Sequence, residues 1–316
     1  MKNTYFELRT LEKDLGVKAG TLYSLSNSID SHYRSAAIPK SDGSKRVLSI
    51  PDFTLKHVQN RINEVILFRM NVSIYSKAYS FGDSPLKNAL PHLKQKQILK
   101  LDIRKYFDHV TYPLIKENVF KEDQFSESNR ILLSLLCIYN ESLPQGAPTS
   151  PAISNILLYD FDNMIGKWCR NQNIIYTRYC DDMTFSGDDL HPNDIIKKVE
   201  TSLKEYGLFI NRKKIQYLHD GQRKKITGVV VNDKPNVSVD YRKRIRQEMY
   251  YIRKFGFQEH LQRIQSKDSA DHYLRSLLGR INYILSINHS DEFEEYRTTV
   301  TSLLDDLLPN YCEDEL

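Results

Sequence analysis

The 316-residue sequence has few of the features that mark secreted, zinc-binding or membrane proteins. Its four cysteines form no CxxC pair, and no histidine stands at zinc-finger spacing from them, so neither a disulfide framework nor a structural zinc site is expected. The longest apolar run, ILLSLLCIY at 131–139, is too short to cross a bilayer. The N-terminus lacks the apolar segment of a signal peptide. These absences predict a cytoplasmic protein with no membrane partner.

Positive charge is concentrated in one part of the chain. The net charge is only +5, but residues 211–256 contain 13 Lys and Arg against 4 Asp and Glu. Tyrosines lie among these cations, and the combination favours contact with phosphates and stacked bases. For any single residue, a solvated charged helix face is the simpler explanation.

Hydrophobic periodicity predicts an α+β core followed by a helical C-terminal unit. Helices are expected over 1–30, after 52, over 126–140, over 152–170, near 191–206 and through most of 240–308. A hairpin is expected over 36–51 around the turn Ser41-Asp42-Gly43-Ser44. Further strands are expected over 97–103, on both sides of a turn within 176–186, near 208–217 and near 225–231.

Two adjacent acids occupy the turn of YTRYCDDMTFS (176–186), where a hairpin would normally place glycine or asparagine. In the strand QILKLDI (97–103), alternation puts Asp102 on the face opposite Leu101 and Ile103. If the two strands are neighbours, Asp102 meets Asp181 and Asp182. Three adjacent carboxylates repel unless a hard cation such as Mg²⁺ binds them. For Asp102 alone, a surface aspartate near an unrelated acidic turn is the competing interpretation.

Four segments resemble, in order, the palm motifs of reverse transcriptases: KLDIRKYF, LPQGAPTSPAISN, YTRYCDDMTFS and GLFINRKKI. The box Tyr179-Cys180-Asp181-Asp182 is similar to the YxDD hallmark of that superfamily. Asn88-Ala89-Leu90-Pro91-His92 resembles the NAxxH motif of bacterial retron enzymes, and Ile226-Thr227-Gly228 stands where they usually have Val-Thr-Gly. Ile226 and Cys180 depart from the usual retron residues. The resemblance implies a right-hand polymerase fold of fingers, palm and thumb.

The same resemblance implies roles for residues around the acids. Asp102, Asp181 and Asp182 would bind two Mg²⁺ ions, with the carbonyl of Ile103 as an extra ligand. The other expected roles are triphosphate binding by Arg46 and Lys45, exclusion of a ribose 2′-OH by Phe107, a nucleotide-pocket loop at Gln145 and Gly146, and protonation of the leaving pyrophosphate by Lys214. Tyr106 competes with Phe107 for exposure, Lys213 is the alternative to Lys214, and Lys40 is a further finger cation.

RNA contacts are expected from the retron-like motifs and from the basic C-terminal helix. The residues concerned are Asn88, His92, Thr227, Arg242, Arg246 and Arg253. A packing role is the alternative for Asn88 and His92. The resemblance also implies three regions: N-terminal helices and fingers at 1–97, a palm at 98–232 with a finger insertion near 112–142, and a helical thumb or RNA-binding unit at 233–316.

The expected function is that of a retron reverse transcriptase. With dNTP substrates, it would copy a cognate noncoding RNA from a guanosine 2′-OH primer into a covalent RNA–DNA hybrid used in antiphage defence. The sequence contains no RNase H or effector segment, so a host RNase H and a separate effector protein are expected partners. Alternatives are a group II intron-like or abortive-infection reverse transcriptase, a palm-fold nucleotidyl cyclase, and a non-catalytic RNA-binding defence subunit.

Overall fold

A computed structural model describes residues 4–39, 43, 45–266 and 268–307. Its helices in chain order are α1 Leu8–Leu15, α2 Ala19–Asn27, α3 Phe53–Val65, α4 Pro85–Ala89, α5 Tyr106–His109, α6 Tyr112–Asn118, α7 Glu127–Cys137, α8 Ser150–Leu157, α9 Tyr159–Asn171, α10 Pro192–Lys204, α11 Val239–Phe255, α12 Phe257–Arg263, α13 Ala270–Ile287 and α14 Asp291–Asp305. Its strands are β1 Tyr33–Pro39, β2 Lys45–Pro51, β3 Gln97–Asp102, β4 Ile175–Tyr179, β5 Asp182–Gly187, β6 Gln216–Leu218, β7 Lys225–Ile226, β8 Val229–Val230 and β9 Asn236–Val237. The predicted mixture of helices and strands is confirmed.

The chain divides into two compact units, which we call the sheet unit and the helical unit. The sheet unit comprises residues 1–84 and 96–220, and the helical unit comprises 85–95 and 221–316. These boundaries differ from the predicted functional borders at 97 and 232. Compactness does not define fingers, palm and thumb, so those borders stay a prediction.

The sheet unit is built on a four-stranded antiparallel sheet with the strand order β4-β5-β3-β6. Leu99 and Leu101 of β3 are buried, as are Met183 and Phe185 of β5, because helices cover this sheet. Two of the covering helices, α8 and α9, are separated at Leu158, where the sequence predicted one continuous helix.

The predicted hairpin is present as β1 and β2, which pair from Tyr33↔Pro51 to Pro39↔Lys45. Of its predicted turn, only Gly43 falls within the described residues; Ser41, Asp42 and Ser44, and the neighbouring Lys40, lie outside them. Asp52 then begins α3 by accepting a hydrogen bond from the Leu55 amide, as an N-cap aspartate does.

The helical unit combines a small antiparallel sheet, β7-β8-β9, with helices α11–α14. The segment 85–95 belongs to it, since the Lys94 amide donates to the Val231 carbonyl (2.9 Å). Apolar side chains of α11 and α13, such as Met249 and Ile281, are fully buried. None of the helices in the described part of the chain has the length and apolar character of a transmembrane span.

The prediction of a continuous strand over 208–217 is wrong. Ile210 makes a single bridge to Ile103, Arg212–Lys214 forms a 3-10 turn, and the strand covers only Gln216–Leu218. The Asn211 amide donates to the Asp102 carbonyl (2.7 Å), which ties this turn to the end of β3. The predicted strand near 225–231 is likewise divided into β7 and β8, which pair around Thr227 and Gly228.

Candidate active site

The end of the four-stranded sheet brings the three predicted aspartates together. Asp102, the last residue of β3, is paired in register with Asp182, the first residue of β5. Cys180 and Asp181 form the two-residue turn between β4 and β5, and the Ile103 amide donates to the Asp181 carbonyl (2.9 Å). Asp102 and Asp182 lie at the ends of two neighbouring antiparallel strands, and Asp181 lies in the adjoining turn. The three carboxylates therefore meet at one end of the sheet, which we call the acidic edge.

The electrostatics of this edge favour a positive charge. Loss of water and the neighbouring carboxylate of Asp181 raise the pKa of Asp182 to about 6. Desolvation, with the nearby Asp102, also raises the pKa of Asp181 above its usual value. A carboxyl group whose pKa is raised by burial and like charge is stabilised as an anion by a bound cation.

Lys214 already supplies one such cation. Its ammonium donates to Asp102 Oδ2 (2.7 Å), and this hydrogen bond raises the pKa of Lys214. The lysine is placed there by the 3-10 turn Arg212–Lys214 that replaces the expected strand. Lys214 therefore stays charged beside the acids.

The residues fit a magnesium site in the chemistry of their donors. Carboxylate oxygens are the hard ligands that Mg²⁺ prefers. As they stand, however, the acidic, histidine and cysteine side chains in the described parts of the chain form no cluster of three ready to hold an ion. Because Lys214 bonds Asp102, a metal ligated by that carboxylate would compete with the ammonium.

The aspartates open into a cavity of about 1050 Å³ that lies wholly within the sheet unit. Its walls include four of the five residues predicted to bind a nucleotide, Lys45, Arg46, Phe107 and Gln145, together with Lys213 and Lys214, the two candidates for protonating the pyrophosphate. A cavity lined by both cations and carboxylates suits a substrate that carries both phosphates and a metal.

Gln145 is held in this wall by its backbone. The Ser49 amide of β2 donates to the Gln145 carbonyl (2.8 Å), which joins the LPQG loop to the hairpin. Gly146 has a φ of +127°, and a Cβ at this position would lie 2.7 Å from the Ser49 carbonyl oxygen. Only glycine allows this close approach. Gly146 therefore positions the loop, while Gln145 and not Gly146 lines the cavity.

The sequence left open whether Tyr106 or Phe107 is exposed, and the structure gives the two rings different surroundings. Tyr106 is buried, and its hydroxyl donates to the Ser154 carbonyl (2.6 Å). Phe107 is partly exposed and packs edge-on against Tyr106 with ring centroids 5.8 Å apart. Both residues line the cavity, and Phe107 is the more exposed of the two rings.

The retron-like motifs meet inside the helical unit. Asn88 and His92 are both buried, and Asn88 Nδ2 donates to Thr227 Oγ1 (3.4 Å), which in turn donates to the Pro85 carbonyl (3.1 Å). Burial lowers the pKa of His92 to about 3. The geometry favours the packing alternative for Asn88 and His92, and direct RNA contact by these residues stays a prediction.

The predicted cations of α11 have different surroundings. Arg246 makes two 2.7 Å hydrogen bonds to Glu292, and Arg253 pairs with Glu295 (3.1 Å). Both guanidiniums therefore contact α14, and an RNA phosphate would have to replace a carboxylate. Arg242 instead lines a second cavity of about 670 Å³ in the helical unit. All three RNA assignments stay predictions.

Sequence reasoning missed a buried ion pair directly behind the acidic turn. Arg178 of β4 and Asp162 of α9 are completely buried and lie 2.6 Å apart. The sequence places Arg178 inside a strand and Asp162 next to Phe161 in a helix, which indicates burial but not that the two residues pair. Charged residues are rarely buried unless paired.

Comparison with known proteins places this site in a family. The family model described as reverse transcriptase (RNA-dependent DNA polymerase) matches residues 38–241. The Escherichia coli Retron Ec86 reverse transcriptase is 30% identical over 254 residues, which cover 78% of each chain. The chain belongs to the retron branch of the reverse transcriptase family. Family membership makes it an enzyme of the RNA-directed DNA polymerase class, and it confirms the predicted α+β right-hand polymerase architecture.

Other relatives agree with this placement. The Retron Mx65 reverse transcriptase of Myxococcus xanthus is 30% identical over 255 residues, 73% of this chain but only 60% of that protein. The E. coli Retron Ec83 reverse transcriptase is 29% identical over 264 residues, 78% of this chain and 81% of the relative. Among solved structures, apo telomerase from Candida tropicalis aligns with a TM-score of 0.46 at 14% identity, covering 72% of this chain and 60% of that one. That likeness is too distant to carry an argument.

Proposed function

We propose that the protein copies a cognate structured noncoding RNA into DNA, priming from a guanosine 2′-OH of that RNA. The product would be a covalent RNA–DNA hybrid that serves in antiphage defence. The observation that supports polymerase chemistry most directly is the in-register pairing of Asp102 with Asp182 beside Asp181. These aspartates line a cavity that is also lined by lysines and arginines.

In this proposal, Asp102, Asp181 and Asp182 hold two Mg²⁺ ions, with the carbonyl of Ile103 as an additional ligand. When bound, the metal activates the attacking hydroxyl and stabilises charge on the pyrophosphate leaving group. The raised pKa of Asp182, about 6, supports this assignment because a neighbouring cation would favour its ionised form.

The cavity wall supplies the remaining contacts to a dNTP. Arg46 and Lys45 of β2 bind the triphosphate, Arg46 through a guanidinium whose planar geometry suits phosphate oxygens. Phe107 lies under the sugar and excludes a ribose 2′-OH. Gln145 lines the nucleotide pocket, and Gly146 allows its loop to approach β2 closely.

Lys214 is proposed to deliver a proton to the departing pyrophosphate. Its ammonium bonds Asp102 (2.7 Å) and would have to leave that carboxylate to reach a nucleotide. Since its pKa is raised, the side chain carries the proton at neutral pH.

The partners proposed with this function are the cognate RNA and its RNA–DNA product, a separate effector protein, and a host RNase H that removes the template. We propose that the protein acts with them in the cytoplasm. RNA would contact the helical unit, with Asn88, His92, Thr227, Arg242, Arg246 and Arg253 as the proposed residues.

The test combines the purified protein with the noncoding RNA encoded beside its gene, Mg²⁺ and labelled dNTPs. Branched RNA–DNA, released as linear DNA only after a debranching enzyme is added, is the expected product. The variant with both Asp181→Asn and Asp182→Asn should make none. A DNA product without a 2′ linkage would favour the group II intron-like or abortive-infection alternative, and extension by the double variant would refute the metal assignment.

A further inference from the structure

The turn that carries Asp181 has an unfavourable backbone conformation. Cys180 has a φ of +58°, while Asp181 is not among the residues with positive φ. In a two-residue hairpin turn, a positive φ at the first position alone is the pattern of a type II′ turn, which normally takes glycine there. A side chain in this conformation is strained, and such strain persists only where the surrounding structure imposes the conformation.

The contact that imposes it comes from Arg178, two residues before Cys180. Arg178 Nη1 donates to the Cys180 carbonyl oxygen (2.7 Å). The other side of the guanidinium makes a two-pronged contact with Asp162, from Nε to Oδ1 (2.9 Å) and from Nη2 to Oδ2 (2.6 Å). Both side chains have no exposed surface, so water does not compete for any of these bonds.

The pair is in turn fixed by its own neighbours. The Tyr176 hydroxyl donates to Asp162 Oδ1 (2.8 Å), and Asn155 Oδ1 lies 3.5 Å from Arg178 Nη1. The main chain of Arg178 is bonded on both sides to residues 75 and 77, because its amide donates to the Tyr75 carbonyl and its carbonyl accepts from the Lys77 amide, each at 2.8 Å. The guanidinium therefore has one position, with its donors aimed at the turn.

Stability alone does not account for this arrangement. A buried ion pair recovers little more than its desolvation cost, and apolar residues of similar volume often stabilise a fold as well or better. An apolar pair would hold α9 against β4, but it could not donate a hydrogen bond to the Cys180 carbonyl.

We infer that Arg178 and Asp162 are positioning residues that hold the Cys180–Asp181 turn in its strained conformation and so place the Asp181 carboxylate near Asp102. The inference deepens the proposed function, because it concerns the geometry of the same acids. Displacement of a reacting or ligating group by about 1 Å can cost about 100-fold in rate. The pair therefore controls the rate of chemistry while touching neither substrate nor metal.

The experiment compares Arg178→Gln with a matched control, Arg130→Gln. Arg130 is also a buried arginine of the sheet unit, but its hydrogen bonds go to Glu117 (2.7 Å), Glu127 (2.9 Å) and the Phe120 carbonyl instead of the Cys180–Asp181 turn. Both variants should lower Tm. Only Arg178→Gln should lower kcat for single-nucleotide extension by about tenfold or more, with little change in the KM for dNTP.

A second readout needs no polymerase activity. Cys180 is buried in the native turn, so its alkylation by iodoacetamide, followed by peptide mass spectrometry, reports release of the turn. The rate at Cys180 relative to Cys169 should rise in Arg178→Gln and stay at the wild-type ratio in Arg130→Gln. Equal ratios in the two variants would overturn the inference, even if the wild-type protein proved to have no polymerase activity. If the ratio rose in Arg178→Gln but the wild-type protein had no polymerase activity, only the proposed function would be refuted.

Two further variants guard against simple misfolding. Replacing the pair with Arg178→Met and Asp162→Leu should keep Tm near the wild-type value while kcat remains low, since packing is retained and the donor to the turn is lost. Adding Cys180→Gly to Arg178→Gln should restore part of kcat, because glycine accepts positive φ without strain. Wild-type kcat in the apolar pair, or no recovery with glycine, would contradict the assignment.

Discussion

The residues predicted to be functional have different surroundings in the two units of the protein. In the sheet unit, residues from six separate segments converge on one cavity, and two of its acids have raised pKa values. In the helical unit, Asn88 and His92 are buried, and Arg246 and Arg253 contact carboxylates of α14. The motif residues of the first unit line a cavity, whereas these four residues of the second unit are buried or paired with other side chains.

The strongest test of this contrast is Asp182→Asn. Loss of a carboxylate from the acidic edge should reduce extension to the background rate, because the proposed metal site loses a charged ligand. The free energy of unfolding in EDTA should stay the same or rise, since the substitution removes repulsion from Asp181. Primer extension and chemical denaturation measure the two effects.

Asp188→Asn is the matched control for that variant. Asp188 directly follows β5 at the opposite end of the strand and pairs only loosely with Lys96 (3.8 Å). It should leave both extension and stability near wild-type values. Equal loss of activity in the two variants would mean that general charge, and not the acidic edge, matters.

The next largest effect is expected at Phe107. Phe107→Ala should reduce discrimination between dNTP and rNTP by about tenfold or more, because the side chain in the cavity wall no longer meets a 2′-OH. The ratio of kcat/KM for dCTP and CTP on one primer–template measures it. Unchanged discrimination would place the sugar gate elsewhere.

In the helical unit, His92→Gln should act on stability. The folded protein keeps His92 neutral because burial lowers its pKa to about 3, whereas the unfolded chain binds a proton near pH 6.5. Below pH 6.5 the unfolded state therefore takes up more protons, and the wild-type free energy of unfolding falls with falling pH by a few kcal/mol in all, on the order expected for such a shift. The variant should be less stable at pH 7 and show a flatter decline between pH 6.5 and 4.

Urea denaturation across that pH range is the measurement for His92. His219→Gln, at an exposed histidine of the sheet unit, serves as the control for the loss of a histidine that is not buried. If His92→Gln instead kept full stability and lost only RNA affinity, His92 would be an RNA contact and the contrast between the units would fail.

The smallest effect is expected for Cys180→Ala. Alanine has the same backbone preference as cysteine and fills most of the same buried space, so kcat should remain within about threefold of wild type. Loss of extension would show that the thiol itself has a role.

Local patterns were sufficient to predict much of the sheet unit. The alternation in β3 and the acidic turn predicted that Asp102 meets Asp181 and Asp182 if the two strands are neighbours, and the structure pairs Asp102 with Asp182. The segment 208–217 was predicted incorrectly because its apolar residues suit a strand, while contact with the end of β3 folds Arg212–Lys214 into a 3-10 turn. Such tertiary contacts override local propensity.

The buried pair Arg178–Asp162 could not be predicted for a related reason. Nothing in one sequence tells which distant charge will neutralise a buried arginine, and the two residues are 16 positions apart on different elements. The same limit applies to Arg246 and Arg253, whose periodic spacing on α11 indicates a basic face but not the acidic helix opposite it.

The most direct test of the central claim is a structure of the protein with Mn²⁺ and a non-hydrolysable dNTP analogue. We expect anomalous density for Mn²⁺ between the carboxylates of Asp102, Asp181 and Asp182. The triphosphate should lie beside Arg46, and the Lys214 ammonium should be displaced from Asp102. Mn²⁺ bound elsewhere, with the Asp102–Lys214 pair intact and the analogue outside the cavity of the sheet unit, would contradict the account.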